Sequence, residues 1–157
     1  RSAGLFQLQG RTYGNDFVYR EFAFFKSKFS AYLMLIALAL FKLILFSPLR
    51  KIFRSFLKKP GQGPSRELQE SGWFNCRFIA ETESGETKVF SIRGQGDPGY
   101  KVTSLFVVEA ALCLIKDRDK LPGSKKFGGV LTSATGLGDA LIQRLRKAGI
   151  IFNSGDQ

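Results

Sequence analysis

Histidine is absent from all 157 residues, and methionine and tryptophan occur once each. Without an imidazole, His-based triads, His metal sites and His proton shuttles have no place within this chain. Cysteine is nearly as scarce: Cys76 and Cys113 cannot build a disulfide framework or a four-ligand zinc site. Both lie in apolar runs, where a buried reduced thiol is the expected state. No nucleophile–base pair, Walker sequence or metal-ligand cluster stands out, so no metal is expected. Acids are also few, thirteen against twenty-four Lys and Arg, for a net charge of +11.

Apolar residues make up 44% of the chain, enough for a core and too many for a wholly disordered one. The length allows one domain, or one small domain with an appendage. Arg1 rather than methionine comes first, which fits a piece of a longer polypeptide. The charge is unevenly spread. Residues 1–60 carry eleven Lys and Arg against two acids, a net of +9, whereas residues 61–157 carry only +2. The basic excess therefore flanks the greasiest stretch of the chain, a pattern that suits an anionic membrane surface better than nucleic acid. No nucleic-acid partner is expected.

That stretch is AYLMLIALALFKLILF at 31–46, sixteen residues interrupted only by Lys42. As a helix it covers about 24 Å, short of the ~30 Å hydrocarbon core. Phe24, Phe25 and Phe29 lengthen its apolar face, with Lys26 and Lys28 placed to snorkel and Lys42 costly mid-span. An in-plane membrane segment, a true span and a buried helix of a larger soluble protein all remain open. After Ser47-Pro48, Leu49, Ile52, Phe53 and Phe56 form one helical stripe, with Arg50, Lys51 and Arg54 on other faces. Leu35, Leu38, Phe41 and that stripe with its three bases are the expected membrane contacts. A solvated basic helix on its own domain is the alternative. Residues 59–65 then break all periodicity. The expected organisation is an irregular segment at 1–21, an apolar and amphipathic helical segment at 22–59, and a domain at 60–157.

From Gly72 the period changes to two. Phe74, Cys76, Phe78 and Ala80 alternate on one face, Ser84-Gly85 supplies a turn, and residues 87–92 return as a hairpin. VTSLFVVEAALCLIK at 102–116 has no breaker and is apolar nearly all round, which predicts a buried helix. After a loop with Lys125-Lys126, residues 127–132 read as a short strand. A helix with Asp139 early and Arg144, Arg146 and Lys147 late follows, stopped by Gly149 before a strand at 150–152. The fold class is α+β: a membrane-apposed helical segment, then a small mixed domain with a β-hairpin, two helices and short strands.

Two features could carry chemistry. Gly94, Gly96 and Gly99 formally match G-x-G-x-x-G between a strand and a helix. Pro98, however, removes an N–H from the would-be phosphate cradle and Asp97 adds a negative charge, so a structural turn is the better reading. The weaker Gly136–Leu141 stretch lacks a third glycine. Glu109, a lone carboxylate inside an apolar helix, must be paired, protonated or facing a cleft. It is a candidate general acid or base, and a buried ion pair is the plainer account. Tyr100 and Thr103 at the mouth of the same helix bind a ligand or cap the helix.

An ordered set of local motifs adds a resemblance. It comprises Gly61-Gln62-Gly63-Pro64-Ser65, Gly72-Trp73-Phe74, Gly96-Asp97-Pro98-Gly99-Tyr100 with Thr103, and Ala111-Leu112-Cys113-Leu114. Leu121-Pro122, Gly128-Gly129-Val130-Leu131-Thr132, Gly138–Leu145 and Gly149-Ile150 complete it. This series resembles the C-terminal part of the saccharopine dehydrogenase-like oxidoreductases, which include the trans-acting enoyl reductases of lipid biosynthesis. The resemblance implies an upstream Rossmann domain that binds NAD or NADP, and a substrate and dimerisation domain here, hence a homodimer. It implies a lipid-like substrate and a membrane-associated protein, at lipid droplets or mitochondria. No cofactor-binding residue carries over onto these 157 positions, so the chain alone is expected to be inactive and to bind no nicotinamide. Gly96, Asp97, Gly99, Tyr100 and Thr103 match the family pattern and are candidates for a substrate cleft. The rival reading is a non-catalytic, membrane-anchored interaction module.

Overall fold

The computed structural model describes residues 1–14, 16–56, 61–122 and 128–155. In chain order the helices are α1 (Ser2–Leu8), α2 (Lys28–Phe46), α3 (Arg50–Phe56), α4 (Arg66–Ser71), α5 (Lys101–Lys116), α6 (Ser133–Gly136) and α7 (Gly138–Lys147). The strands are β1 (Trp73–Glu81), β2 (Thr87–Gln95) and β3 (Ile151–Gly155). The chain divides into two compact units, residues 16–63 and residues 1–15 together with 64–157.

The smaller unit is built on α2. Ser27 caps it, accepting from the Ser30 N–H at 3.2 Å, while the Ser30 hydroxyl oxygen accepts from the Ser27 N–H at 3.3 Å. Ser47 turns extended before Pro48, which ends the helix. The helix runs nineteen residues, or about 28 Å, longer than the apolar run alone. Lys42 consequently lies four residues from its end instead of at mid-length. Among the described residues α2 is the helix long and apolar enough to cross a membrane, and none of its residues is buried. In α3, Phe53 meets Phe41 of α2 edge to face at 6.5 Å, and Leu49 and Ile52 stay exposed. The side chain of Phe56 and residues Lys58 and Lys59 lie outside the described residues.

The larger unit is a two-layer α+β arrangement. Its antiparallel sheet has the order β1-β2-β3. Phe74 stands opposite Gly94, Cys76 opposite Ile92, and Ile92 opposite Phe152. The alternation of the hairpin thus puts Phe74, Ile92 and Phe152 on one face, where α5 and α7 cover them. Val102, Leu145 and Ile150 are buried at that junction, and Phe106 meets Phe74 edge to face at 6.2 Å. Cys113, Leu137 and Ala140 form a second buried cluster between the helices, with Leu141 touching both clusters. Gly149 at φ +92° lets the chain reverse, and the Ile150 N–H closes α7 onto the Leu145 carbonyl at 2.9 Å.

Three expectations change. Residues 128–132 are not a strand, and Phe127 lies outside the described residues. Gly129 sits at φ +123°, the Val130 carbonyl accepts from the Arg1 guanidinium at 2.7 Å, and Thr132 turns its hydroxyl inward to cap α6. Those bonds replace a ladder. Within 1–21, expected as irregular, α1 forms and buries Phe6 against Tyr13 and beneath Arg11. Finally, α5 is covered on one side only: Val107, Val108, Leu114 and Ile115 are all more than half exposed.

Close approach fixes one glycine in particular. A Cβ at Gly72 would lie 2.7 Å from the Asp97 backbone nitrogen, and backbone atoms held by hydrogen bonds cannot yield cheaply. Gly72→Ala is therefore expected to destabilise the larger unit by about 1–3 kcal/mol, read as a lower denaturant midpoint. An unchanged midpoint would show that the α4–α5 junction is looser than described.

Candidate functional site

The loop leading into α5 is held by its own polar groups. The Gly96 N–H donates to the Gly72 carbonyl at 2.6 Å and the Asp97 N–H to the Gln69 carbonyl at 2.8 Å. The Asp97 carboxylate accepts from the Tyr100 N–H at 2.8 Å, and the Thr103 hydroxyl donates to the Pro98 carbonyl at 2.6 Å. Lys101 pairs with Glu70 of α4. A pyrophosphate needs several free N–H groups converging on one point. Here the Gly96, Asp97 and Tyr100 donors are engaged, Pro98 has none, and the Asp97 charge would repel it. The residues present do not fit a nicotinamide dinucleotide. At the Gly136–Leu141 stretch, a Cβ on Gly138 would meet Pro122 at 2.7 Å, so close packing accounts for that glycine.

Glu109 sits about two turns further along α5, on its inner face. There Arg144 of α7 reaches between two carboxylates. Its Nη1 donates to Glu109 Oε2 at 3.1 Å and its Nε donates to Asp117 Oδ2. Lys120 approaches Asp117 Oδ1 at 3.3 Å. The three central side chains are 16–20% exposed. The hydrogen bond from Arg144 holds the Asp117 carboxyl below its ordinary value, partial burial opposes that, and Lys120 assists it. The same bonds, Asp117 first and Glu109 second, raise the Arg144 guanidinium. Burial pushes the neighbouring Cys113 thiol up, with the Asp117 charge as a second cause.

This cluster lines a shallow cleft of about 240 Å³ with Gln143, Lys147 and Ala148. Chemically it is a clamp more than a reactive centre, because the guanidinium already serves two carboxylates. It ties α5, the short 3₁₀ turn at Arg118–Lys120 and α7 together. Gly96, Asp97, Gly99, Tyr100 and Thr103 do not line it; they stand at the other end of α5. Among the described residues no group of His, Cys, Asp and Glu is placed to hold a metal. Arg144 and Asp117 had no assigned role from sequence beyond helix-dipole charge and a misplaced ribose acid. The signal was Glu109 itself, which had to find a base on a neighbouring helix. Of the expected membrane contacts, Leu35, Leu38, Phe41, Leu49 and Ile52 are exposed, Phe53 leans on Phe41, and Arg50, Lys51 and Arg54 face solvent.

No protein-family profile matches the chain, and no solved structure matches it. Among curated proteins, it is 40% identical over 101 residues to a Mycobacterium tuberculosis protein named as a trans-acting enoyl reductase. That match covers 64% of this chain and 23% of the relative. It is 34% identical over 105 residues to a trans-acting enoyl reductase of Mycobacterium bovis, covering 67% and 24%. A Mycobacterium ulcerans protein of the same name is 34% identical over 96 residues, covering 61% and 22%. The chain thus spans about a quarter of the length of the curated relatives it matches. The likeness is to proteins named as oxidoreductases.

Removing the shared guanidinium leaves two carboxylates facing each other. Arg144→Met is expected to lower the thermal midpoint more than Glu109→Gln does, and equal shifts would remove the clamp from the account. Asp117 is depressed in the folded state, so its contribution is present above its unfolded value. It is lost as pH falls from roughly 5 through the lower folded value. Asp117→Asn should flatten that acid limb of the stability curve. In thiol labelling of the native protein, exposed Cys76 should react readily and buried Cys113 only on unfolding.

Proposed function

We propose that these residues are the C-terminal part of an oxidoreductase related to the trans-acting enoyl reductases. On this reading the complete protein transfers a hydride between a nicotinamide and a lipid-like acyl substrate. The observation that carries the reading is the 40% identity over 101 residues to the Mycobacterium tuberculosis protein. The nicotinamide, NAD or NADP, would be held by residues outside this chain, since the Gly94–Tyr100 loop spends its donors on α4 and on itself. What this chain supplies is the α5–α7 pair, braced by Arg144, and the helix-leading loop beside α4.

The finer parts of the proposal are kinship with the saccharopine dehydrogenase-like proteins, a homodimer, and attachment to a membrane or lipid droplet. Attachment is supported by α2, apolar all round and unburied, and by the bases of α3. A lipid surface would then cover Leu35, Leu38 and Phe41, with Lys42 close enough to the helix end to snorkel.

The test is to supply the complete protein with an α,β-unsaturated acyl substrate and NADH or NADPH. The expected outcome is consumption of one nucleotide matched by saturated product. Failure to bind either nucleotide in equilibrium dialysis would sink the enzyme reading and favour a non-catalytic, membrane-anchored module. For attachment, deleting 31–46 should abolish co-flotation with anionic phospholipid vesicles. A deleted protein that still floats would refute this role for α2.

A further inference from the structure

The polarity of α5 is inverted relative to a surface helix. Its inner face carries the helix's one acid, Glu109, turned toward Arg144, together with Val102, Leu105, Phe106 and Cys113. Its outer face runs through Ser104, Val107, Val108, Ala111, Leu114 and Ile115, at i, i+3, i+4, i+7, i+10 and i+11. Every one of those residues is exposed, and none is charged. Lys101 and Lys116 stand only at the two ends. A helix that faces water places its charges outward, and one that is apolar on both sides is an interior helix. An exposed apolar stripe of this length marks a contact surface.

We infer that the outer face of α5 is an internal interface, covered by the remainder of the same polypeptide. The inference rests on the proposed reading of the chain as one part of a longer protein. The matched relatives are about four times as long as the stretch they share with it, so ample chain exists to supply the cover. The stripe also argues against the other occupants. A lipid surface would be expected to meet bases along the rim of the stripe, as in α3, yet no Lys or Arg occurs between Lys101 and Lys116. A polar partner would leave no acceptor for its donors, because the stripe offers only Ser104, whose hydroxyl already donates to the Lys101 carbonyl at 2.8 Å. The complementary surface is therefore apolar and uncharged, the chemistry of a domain core cut in two.

The experiment uses the complete native polypeptide with single reporter thiols. Ala111→Cys and Ile115→Cys sit on the stripe, Ser84→Cys in the hairpin turn is the freely exposed reference, and Cys113 is the buried one. Ala111→Cys is small enough to keep the fold if Ile115→Cys does not. The expected result is that the two stripe thiols react with a maleimide at least ~100-fold more slowly than the Ser84→Cys thiol, at every protein concentration. Stripe thiols that react as fast as the reference overturn the inference. Protection that disappears on dilution to monomer would assign the face to a second copy and overturn it as well, as would a native polypeptide no longer than this chain. Nucleotide turnover measured in parallel separates the two ideas: protected thiols in a protein that turns over no substrate would keep the interface and discard the enzyme.

Discussion

The larger unit depends on α5 being fixed on one side, and Arg144 is what fixes it there. A carboxylate on the inner face of an apolar helix would drive that face toward water unless a cation met it. Arg144 meets Glu109 and Asp117 together, joining the middle of α5, the turn after it, and α7. The apolar contacts then fall into place on either side of Leu141, which touches both buried clusters. The pair alone is weak evidence of stability, since desolvation offsets Coulomb attraction. Its effect here is on register: with Arg144 committed, α7 can present Leu145 to Val102 and Ala140 to Cys113 at the same time.

The other end of α5 is fixed by backbone hydrogen bonds. Gly72 has no side chain to separate its carbonyl from the Gly96 N–H, so α4 and the loop close directly on each other. A glycine-rich loop before a helix can serve a phosphate or a tight crossing, and both need the same residue type. The destination of the N–H groups decides between them. At Gly96, Asp97 and Tyr100 those groups end on protein oxygens, so the crossing accounts for the sequence and no dinucleotide needs to be invoked.

Where a residue's fate is set by its neighbours in sequence, the sequence was readable. The alternation at Phe74, Cys76 and Phe78 marks the hairpin, and the acid-to-base gradient from Asp139 to Lys147 with Gly149 marks α7. The unbroken run at 102–116 marks α5 to within a residue. What could not be read depends on distant partners. Residues 128–132 have the composition of a strand, but Arg1 takes the Val130 carbonyl across the unit and Thr132 caps a helix. Short α1 and α4 lack the length to show a period, and α4 is marked only by its Ser65 cap. Glu109 announced a missing cation without naming it, because several bases near the end of α7 were eligible. Only packing selects Arg144.

The chain carries two apolar helices with exposed faces, and their borders distinguish what each is built to meet. Around α2 the ends are basic, with Lys26 and Lys28 before it and Arg50, Lys51 and Arg54 soon after. Such borders cost nothing beside anionic headgroups and much inside a protein, where each charge would need its own partner. Along α5 the order is reversed: the charge is inside, already paired, and the outer stripe is uncharged for its whole length. A lipid surface gains no electrostatic attraction from that stripe, while an apolar protein surface suffers no desolvation penalty there. The proposed division of labour follows from that difference alone: α2 with α3 for a lipid surface, and α5 for the body of the protein.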